Sequence, residues 1–135
     1  AIAIEELEHF NLMLDLLERR GILLGAPSVS PWIRGLMKEI RKGRREQVID
    51  HLICCSLIEG RSCEKFQVLA EELKPVDAEL ARLYGSLVES EANHYVDYWL
   101  MARDIDNGES HRRLDFFLGK DAALIRQPHD LPLLH

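Results

Sequence analysis

The sequence contains two Glu-x-x-His motifs, and both lie in long segments with helical periodicity. Glu6 and His9 form the first motif, and Glu91 and His94 form the second. On an α-helix, residues i and i+3 are about 60° apart around the axis and one turn apart along it. A carboxylate and an imidazole at this spacing can therefore bind one metal ion from a single helix face.

A third carboxylate, Glu59, lies midway along another long helical segment. The sequence between Glu59 and Glu91 holds the rest of one helix, a turn and half of an antiparallel partner, so the two side chains should lie at the same level. Di-iron carboxylate bundles use two Glu-x-x-His pairs and one further Glu from each of the two other helices. A fourth Glu, on a helix before Glu6, has no counterpart. We therefore expect that the intact protein has an upstream helix, or that this helix is replaced in some way.

The joint pattern is more informative than any of its members. A single Glu-x-x-His is common by chance, and an isolated histidine more often makes a hydrogen bond than binds a metal. Here Glu59 belongs to one apolar stripe, and Glu91 and His94 belong to another. Buried carboxylates without a compensating cation are costly, so this placement predicts a pair of metal ions. Carboxylate and imidazole ligands favour iron or manganese over zinc or copper, with open positions for O2 or peroxide.

Helical periodicity also predicts the elements that would position these residues. We expect helices at 2–20, 31–42, 44–73, 76–103 and 109–126, followed by an extended strap at 127–135. Strand alternation of useful length is absent from the sequence. The predicted fold class is therefore all-α: a single domain over residues 1–135, built as an antiparallel helix bundle with short connections.

Composition limits the classes of function. The net charge of −6 and a pI near 5.5 argue against a general nucleic-acid-binding protein. The sequence has no run that approaches the roughly 18 apolar residues of a membrane span, so we expect no membrane association. Cys54, Cys55 and Cys63 have neither the even count of a disulfide framework nor the spacing of a zinc ribbon. We interpret them as reduced thiols in a cytoplasmic protein.

Five stretches of the sequence are distinctive: Glu-Glu-Leu-Glu-His-Phe at 5–10, Glu-Arg-Arg-Gly-Ile at 18–22, Leu-Ile-Glu-Gly-Arg-Ser-Cys-Glu-Lys-Phe at 57–66, Ser-Glu-Ala-Asn-His-Tyr-Val-Asp-Tyr at 90–98 and Ala-Leu-Ile-Arg-Gln-Pro at 123–128. They resemble the tRNA 2-methylthio-N6-isopentenyladenosine hydroxylase family, and the last resembles that family's C-terminal strap. The likeness covers nearly the whole chain. Its most specific part is Glu-x-Arg-Ser-Cys-Glu-x-Phe, which generic ferritins and rubrerythrins do not carry.

The resemblance implies a ferritin-like, non-haem di-iron monooxygenase that uses O2 and an external electron donor. It implies as substrate the isopentenyl side chain of a modified adenosine at position 37 of tRNA. It also implies that two iron ions are bound by Glu6, His9, Glu59, Glu91 and His94. The family's first ligand, a Glu on the preceding helix, has no counterpart, so the ferritin-like bundle is expected to lack its first helix in this chain.

Three further residues are weaker candidates near the metals. Arg61 either pairs with a carboxylate beside the ligands or lies on the surface. Tyr95 and Tyr98 either form hydrogen bonds near the metals or are aromatic residues of the core.

A tRNA partner would need a positive surface despite the acidic total. One cluster within twelve residues offers it: Arg34, Lys38, Arg41, Lys42, Arg44 and Arg45. These cations either contact phosphates or form a solvated helix end. Trp32, beside them, either stacks on a base or belongs to the core, and we favour the core.

Two other functions fit parts of the pattern. One is a di-iron peroxide reductase or iron-binding protein of the rubrerythrin or ferritin kind, which would turn over peroxide without tRNA. The other is a metal-free helical interaction module, which would bind no iron. The tRNA hydroxylase hypothesis instead predicts activity on hypomodified tRNA that requires O2 and a reductant.

Overall fold

The computed structural model describes residues 1–127, which form five α-helices and no strand. The helices are α1 (Ile2–Arg19), α2 (Pro31–Met37), α3 (Arg44–Glu72), α4 (Ala78–Ile105) and α5 (Asn107–Ile125). The predicted all-α fold is confirmed. Apart from Gln127, the predicted strap at 127–135 lies outside the described residues. None of the helices within residues 1–127 combines the length and apolar character that crossing a membrane requires.

The centre of the fold is an antiparallel hairpin of α3 and α4, which pack against each other more extensively than any other pair. Three contacts fix their register. The Ser56 hydroxyl donates to the Tyr95 carbonyl at 2.9 Å, the Cys63 thiol donates to the Val88 carbonyl at 3.6 Å, and the rings of Phe66 and Tyr84 are 5.1 Å apart. This register places Glu59 level with Glu91, as the sequence predicted.

The turn between α3 and α4 is closed by Asp77, whose carboxylate accepts the backbone N–H of Leu80 at 3.0 Å. Such an N-cap stabilises a helix by about 1 kcal/mol, because it satisfies an N–H group that has no partner within the helix.

α2 and α5 cover one side of this hairpin and form the apolar core with it. Trp32, Leu36, Ile53 and Phe117 are buried there. The Trp32 side chain is only 2% exposed, so its assignment to the core is confirmed and it is not available to stack on a base. Gly35 allows the close approach of α2 and α5, because an added Cβ would lie 2.5 Å from a methyl carbon of Leu124.

A buried ion cluster joins the same helices. Asp50 is fully buried and accepts hydrogen bonds from the guanidinium groups of Arg41 and Arg113. Burial alone would raise the pKa of Asp50, but these bonds hold it below its ordinary value. Removing one partner of such a buried pair is expected to cost about 3–5 kcal/mol.

α1 runs antiparallel to α4 on the other side of the hairpin and is attached mainly through side chains near its two ends. At its C-terminal end, Arg19 contacts Glu79 at 2.7 Å, and Arg20 contacts Asp77 and Glu79 at 2.9 Å each. At its N-terminal end, acidic and histidine side chains meet those of α4. Between these ends, Leu16 is its buried apolar residue.

Two predicted boundaries were wrong. α2 ends at Met37 rather than at 42, because the carboxylate of Asp50 takes the backbone N–H of Arg41 at 3.0 Å and the chain leaves the helix. The predicted turn at Asn107-Gly108 is the first turn of α5. The chain reverses instead at the extended residue Asp106, whose carboxylate caps α5 by accepting the Glu109 N–H at 3.0 Å.

Candidate metal centre

The predicted ligands from three helices converge on one point. Glu6 of α1, Glu59 of α3, and Glu91 and His94 of α4 each offer a ligand atom, and these atoms all lie within 4.8 Å of one another. Glu59, Glu91 and His94 are buried, whereas Glu6 is partly exposed. The helical spacing and the hairpin register together account for this arrangement.

His9, the fifth predicted ligand, lies at the edge of this group. Its Nδ1 atom is 3.4 Å from Glu6 Oε1 and 3.5 Å from Glu91 Oε1. Its ring centroid is 6.0 Å from that of His94. The two imidazoles therefore flank the carboxylates, and the five residues together could bind more than one cation.

Three atoms in this group are buried without a hydrogen-bond partner among the described residues. They are Glu6 Oε1, His9 Nδ1 and His94 Nδ1. His94 Nδ1 lies 3.0 Å from Glu6 Oε1, but the contact lacks hydrogen-bond geometry. Burying an unpaired acceptor is costly, and a cation among these atoms would remove that cost. The residues therefore fit a metal, and oxygen and imidazole donors fit iron.

The two buried carboxylates are held partly protonated in the absence of a cation. Burial, a hydrogen bond with Glu91 and the charge of Glu91 raise the pKa of Glu59 to about 8. Burial also raises the pKa of Glu91. Two carboxylates this close share a proton because both cannot be ionised cheaply. A metal ion that binds here must displace that proton.

Glu5 is a functional candidate that sequence reasoning missed. Its Oε2 atom lies 3.0 Å from Nε2 of His94, and the Ser90 hydroxyl lies 3.5 Å from the same oxygen. The hydrogen bond with His94 lowers the pKa of Glu5 and keeps it ionised. An ionised carboxylate accepts only, so this hydrogen bond favours the tautomer with the proton on Nε2, which leaves the lone pair of Nδ1 towards Glu6. The available signal was a carboxylate directly before a Glu-x-x-His motif.

Tyr98 and Cys55 lie close to the same carboxylates. Burial raises the pKa of Tyr98, and the nearby Cys55, Glu59 and Glu6 raise it further. Burial and the charge of Glu59 also raise the pKa of the Cys55 thiol, which favours its protonated form in the metal-free protein. Tyr98 makes no hydrogen bond to a ligand within residues 1–127, and a hydrogen bond near bound metals stays one of its two predicted roles.

Arg61 and Tyr95 are turned away from the ligands, towards α5. The Arg61 guanidinium donates to Asp121 at 2.7 Å, which is a carboxylate of α5 and not of the metal centre. The Tyr95 ring packs against Gly60 and is partly exposed. One or two positions along a helix rotate a side chain by about 100° or 200°, which accounts for these directions. A role for either residue beside the metals stays the less favoured of the two alternatives.

The predicted basic cluster divides into two groups. Arg41 pairs with Asp50 and Glu109, and Arg45 binds the Ile105 carbonyl and Asp106. These two cations stabilise the fold. The other four are exposed and make no ion pair with the described part of the chain: Arg34, Lys38, Lys42 and Arg44.

Comparison with known proteins adds to this geometry. A family model described as tRNA-(MS[2]IO[6]A)-hydroxylase (MiaE) matches residues 1–135. The tRNA 2-(methylsulfanyl)-N(6)-isopentenyladenosine(37) hydroxylase of Salmonella typhimurium is 37% identical over 124 residues, which cover 92% of this chain and 45% of that protein. The enzyme of the same name from Pseudomonas putida is 34% identical over 128 residues, which cover 94% of this chain and 61% of that protein. The chain thus spans about half the length of these relatives.

A solved structure is similar over nearly all of the chain. It is Protein 43 with aldehyde deformylating oxygenase activity from Synechococcus, with a TM-score of 0.87 and 31% identity, covering 96% of this chain and 64% of that one. The fold is a ferritin-like helix bundle, as the sequence predicted. A helix before Ile2 that carries a further Glu ligand stays a prediction. The comparisons favour neither a peroxide reductase nor a metal-free module.

Proposed function

This chain belongs to the tRNA-(MS[2]IO[6]A)-hydroxylase (MiaE) family, and we propose that it hydroxylates the isopentenyl side chain of 2-methylthio-N6-isopentenyladenosine at position 37 of tRNA. The proposed reaction inserts one oxygen atom of O2 into a C–H bond and reduces the other to water, with two electrons from an external donor and two protons. The convergence of Glu6, Glu59, Glu91 and His94 around buried, unpaired atoms carries this proposal. We propose a cytoplasmic location, because the substrate is tRNA and the three cysteines are free.

Two iron ions are proposed as the cofactor, held by Glu6, His9, Glu59, Glu91 and His94. When bound, iron supplies the redox chemistry that O2 activation requires. The chain supplies the rest. Its carboxylates balance the charge of the cations, the shared proton of Glu59 and Glu91 leaves as they bind, and the burial of α3 and α4 limits the access of water.

The tRNA is proposed to contact the exposed basic residues at the C-terminal end of α2 and the N-terminal end of α3, which are Arg34, Lys38, Lys42 and Arg44. Charges that are not used inside the fold are free to bind phosphates. Glu59 lies fifteen residues into α3 from Arg44, which corresponds to about 22 Å along the helix. A phosphate anchor at this distance would orient the anticodon arm while nucleotide 37 approaches the metals from another side.

The test is hydroxylation of hypomodified tRNA by the full-length, iron-loaded protein with O2 and a reductant, measured by mass spectrometry of nucleosides. We expect the hydroxylated nucleoside with the wild-type protein and a loss of roughly 100-fold or more in Glu59→Ala, because a carboxylate that would hold the metal is removed. The matched control is Glu71→Ala, an exposed position on the same helix, which should keep full activity and iron content. Full activity of the Glu59 variant, or no product from the wild-type protein, would count against the proposal.

A further inference from the structure

A cavity of about 370 Å³ lies behind the metal centre, on the α5 side of the α3–α4 hairpin. We call it the back pocket. Its volume is in the range of small-molecule sites, and apolar residues form most of its wall. The residues that line it include Gly60, Arg61, Glu64, Ala92, Tyr95 and Leu118.

The back pocket is lined by the chain neighbours of three predicted metal ligands. Gly60 follows Glu59, Ala92 follows Glu91 and Tyr95 follows His94. The wall of the pocket is therefore one peptide unit away from three ligands on two helices.

One edge of the back pocket is polar, and its geometry is fixed. Arg61 donates to Asp121 at 2.7 Å, and Asp121 also accepts the indole N–H of Trp32 at 2.8 Å. This chain of contacts holds the guanidinium in place and leaves other N–H groups of Arg61 free to donate. Glu64, 3.4 Å from Arg61, is 73% exposed and remains able to accept. The Arg61 guanidinium and the Glu64 carboxylate thus place a hydrogen-bond donor next to an acceptor at this edge.

The opposite part of the back pocket is flat and apolar. The Tyr95 ring lies against Gly60, where an added Cβ would come within 3.1 Å of it. Glycine therefore lets this ring form a wall of the cavity. Ala92 is small, and Leu118 at the rim is 44% exposed. A planar ring could stack on Tyr95 and cover these apolar groups.

We propose that the back pocket is the docking site of a reduced flavin ring, through which the electron donor reduces the metal centre. This inference rests on the proposed function, which requires two electrons per turnover. A flavin ring combines an apolar end with an edge of alternating C=O and N–H groups, and that edge matches Arg61 and Glu64. A uracil-type base has the same edge, but it is smaller and carries no electrons.

The step balances for one flavin in each turnover. The neutral hydroquinone gives up two electrons and two protons and becomes the oxidised ring. The two electrons would go to the pair of iron ions that the predicted ligands would hold, one electron for each ion, and the two protons would pass to solvent.

The first test measures binding of lumiflavin, a flavin ring without phosphate, to the full-length protein by fluorescence titration. We expect Leu118→Arg at the rim and Ala92→Phe, which fills the cavity, each to weaken binding at least tenfold. The matched control is Leu100→Arg, on the outer face of α4, where the leucine is 42% exposed. Equal affinity in the Leu118 and Leu100 variants would overturn the proposal, and so would competition by uridine as strong as that by lumiflavin.

The second test separates this inference from the proposed function. Anaerobic stopped-flow reduction of the iron-loaded protein by reduced lumiflavin should be about tenfold slower in Leu118→Arg than in Leu100→Arg. Reduction by dithionite should be equal in both, and a single turnover after dithionite reduction should give equal hydroxylation. If the function is wrong, hydroxylation fails in every variant while the flavin results still decide the docking site. Equal rates of reduction by reduced lumiflavin in Leu118→Arg and Leu100→Arg would disprove the proposed docking site.

Discussion

At the scale of single residues, the chemistry depends on where protons sit before a metal binds. Glu59 and Glu91 share one, His94 keeps its own on Nε2 through Glu5, and Cys55 and Tyr98 stay neutral nearby. Each of these states follows from burial and from the nearest charge. The centre is therefore prepared for cations by the chain itself, and single substitutions should disturb it in separable ways.

Glu5→Gln tests the orientation of His94. The amide has no negative charge with which to polarise the imidazole N–H, so metal affinity should fall about 10–100-fold while the helix content stays the same. Titration with Co²⁺, read from its visible absorption, measures this affinity directly. Glu8→Gln, an exposed position on the same helix, should bind like the wild-type protein. Unchanged affinity in both variants would mean that the Glu5 contact has no positioning role.

The shared proton of Glu59 predicts how stability depends on pH in the metal-free protein. A carboxyl whose pKa is raised to about 8 binds more protons folded than unfolded, so stability should fall as pH rises from about 4.5 to 8. Glu59→Gln removes this dependence and should stabilise the metal-free protein at pH 8 by on the order of 2 kcal/mol. Urea unfolding at pH 5 and pH 8 measures both effects. Parallel pH profiles for the two proteins would contradict the raised pKa.

At the scale of elements, the hairpin of α3 and α4 is a rigid support and α1 is its adjustable partner. α3 and α4 are joined by dense packing, whereas α1 is joined by ligand contacts at one end and by arginine contacts at the other. At the arginine end, the hydrogen bond from Arg20 lowers the pKa of Asp77 to about 2, so that contact persists at neutral pH. The ligand end depends on what binds there.

We therefore expect metal binding to protect α1 from hydrogen exchange more than it protects α3 or α4. A bound cation attracts both Glu6 and Glu91, which otherwise repel each other. It therefore lowers the population of the state in which α1 is detached from α4. Exchange measured by mass spectrometry, with and without Mn²⁺, tests this. In Arg20→Ala, the C-terminal half of α1 should exchange faster in both states while its N-terminal half still responds to Mn²⁺. Uniform protection of all helices would argue against a separate α1.

At the scale of the whole molecule, both the protein and its proposed tRNA substrate are acidic. The exposed residues Lys38, Lys42 and Arg44 lie at one end of the bundle, where they offer local positive charge despite the net charge of −6. Arg41 and Arg45 lie at the same end but are bound to carboxylates of the fold. Local charge, and not the total, is what a phosphate backbone meets.

The double variant Lys38→Gln/Lys42→Gln should weaken tRNA binding at least tenfold and reduce the dependence of log K on log salt by about 1–2. Lys74→Gln, an exposed lysine at the far end of α3, is the matched control and should leave both values unchanged. Fluorescence anisotropy at several salt concentrations gives both quantities. If both variants showed the same dependence of log K on log salt, the tRNA would bind elsewhere on the protein. Arg41→Gln is not a suitable substitute, because it unpairs buried Asp50 and should destabilise the fold.

The sequence predicted those parts of the molecule that depend on spacing within one helix. Glu6, Glu59, Glu91 and His94 lie on periodic stripes, and a hairpin of two long helices brings them level. It did not predict contacts between residues distant in sequence, such as Glu5 with His94 or Arg61 with Asp121. It also misjudged the boundaries at Met37 and Asp106, where carboxylates capture backbone N–H groups. Such contacts become visible only when the helices are assembled.

The carboxylate of Asp121 is shared by three helices, because it belongs to α5, accepts from Trp32 of α2 and accepts from Arg61 of α3. A change in α2 could therefore alter the back pocket without changing any residue that lines it. Homologues that differ only around Trp32 would then exchange one reducing partner for another while keeping the same ligand set. In such proteins, buried residues would determine which reducing partner binds, and a comparison of exposed residues alone would not detect the difference.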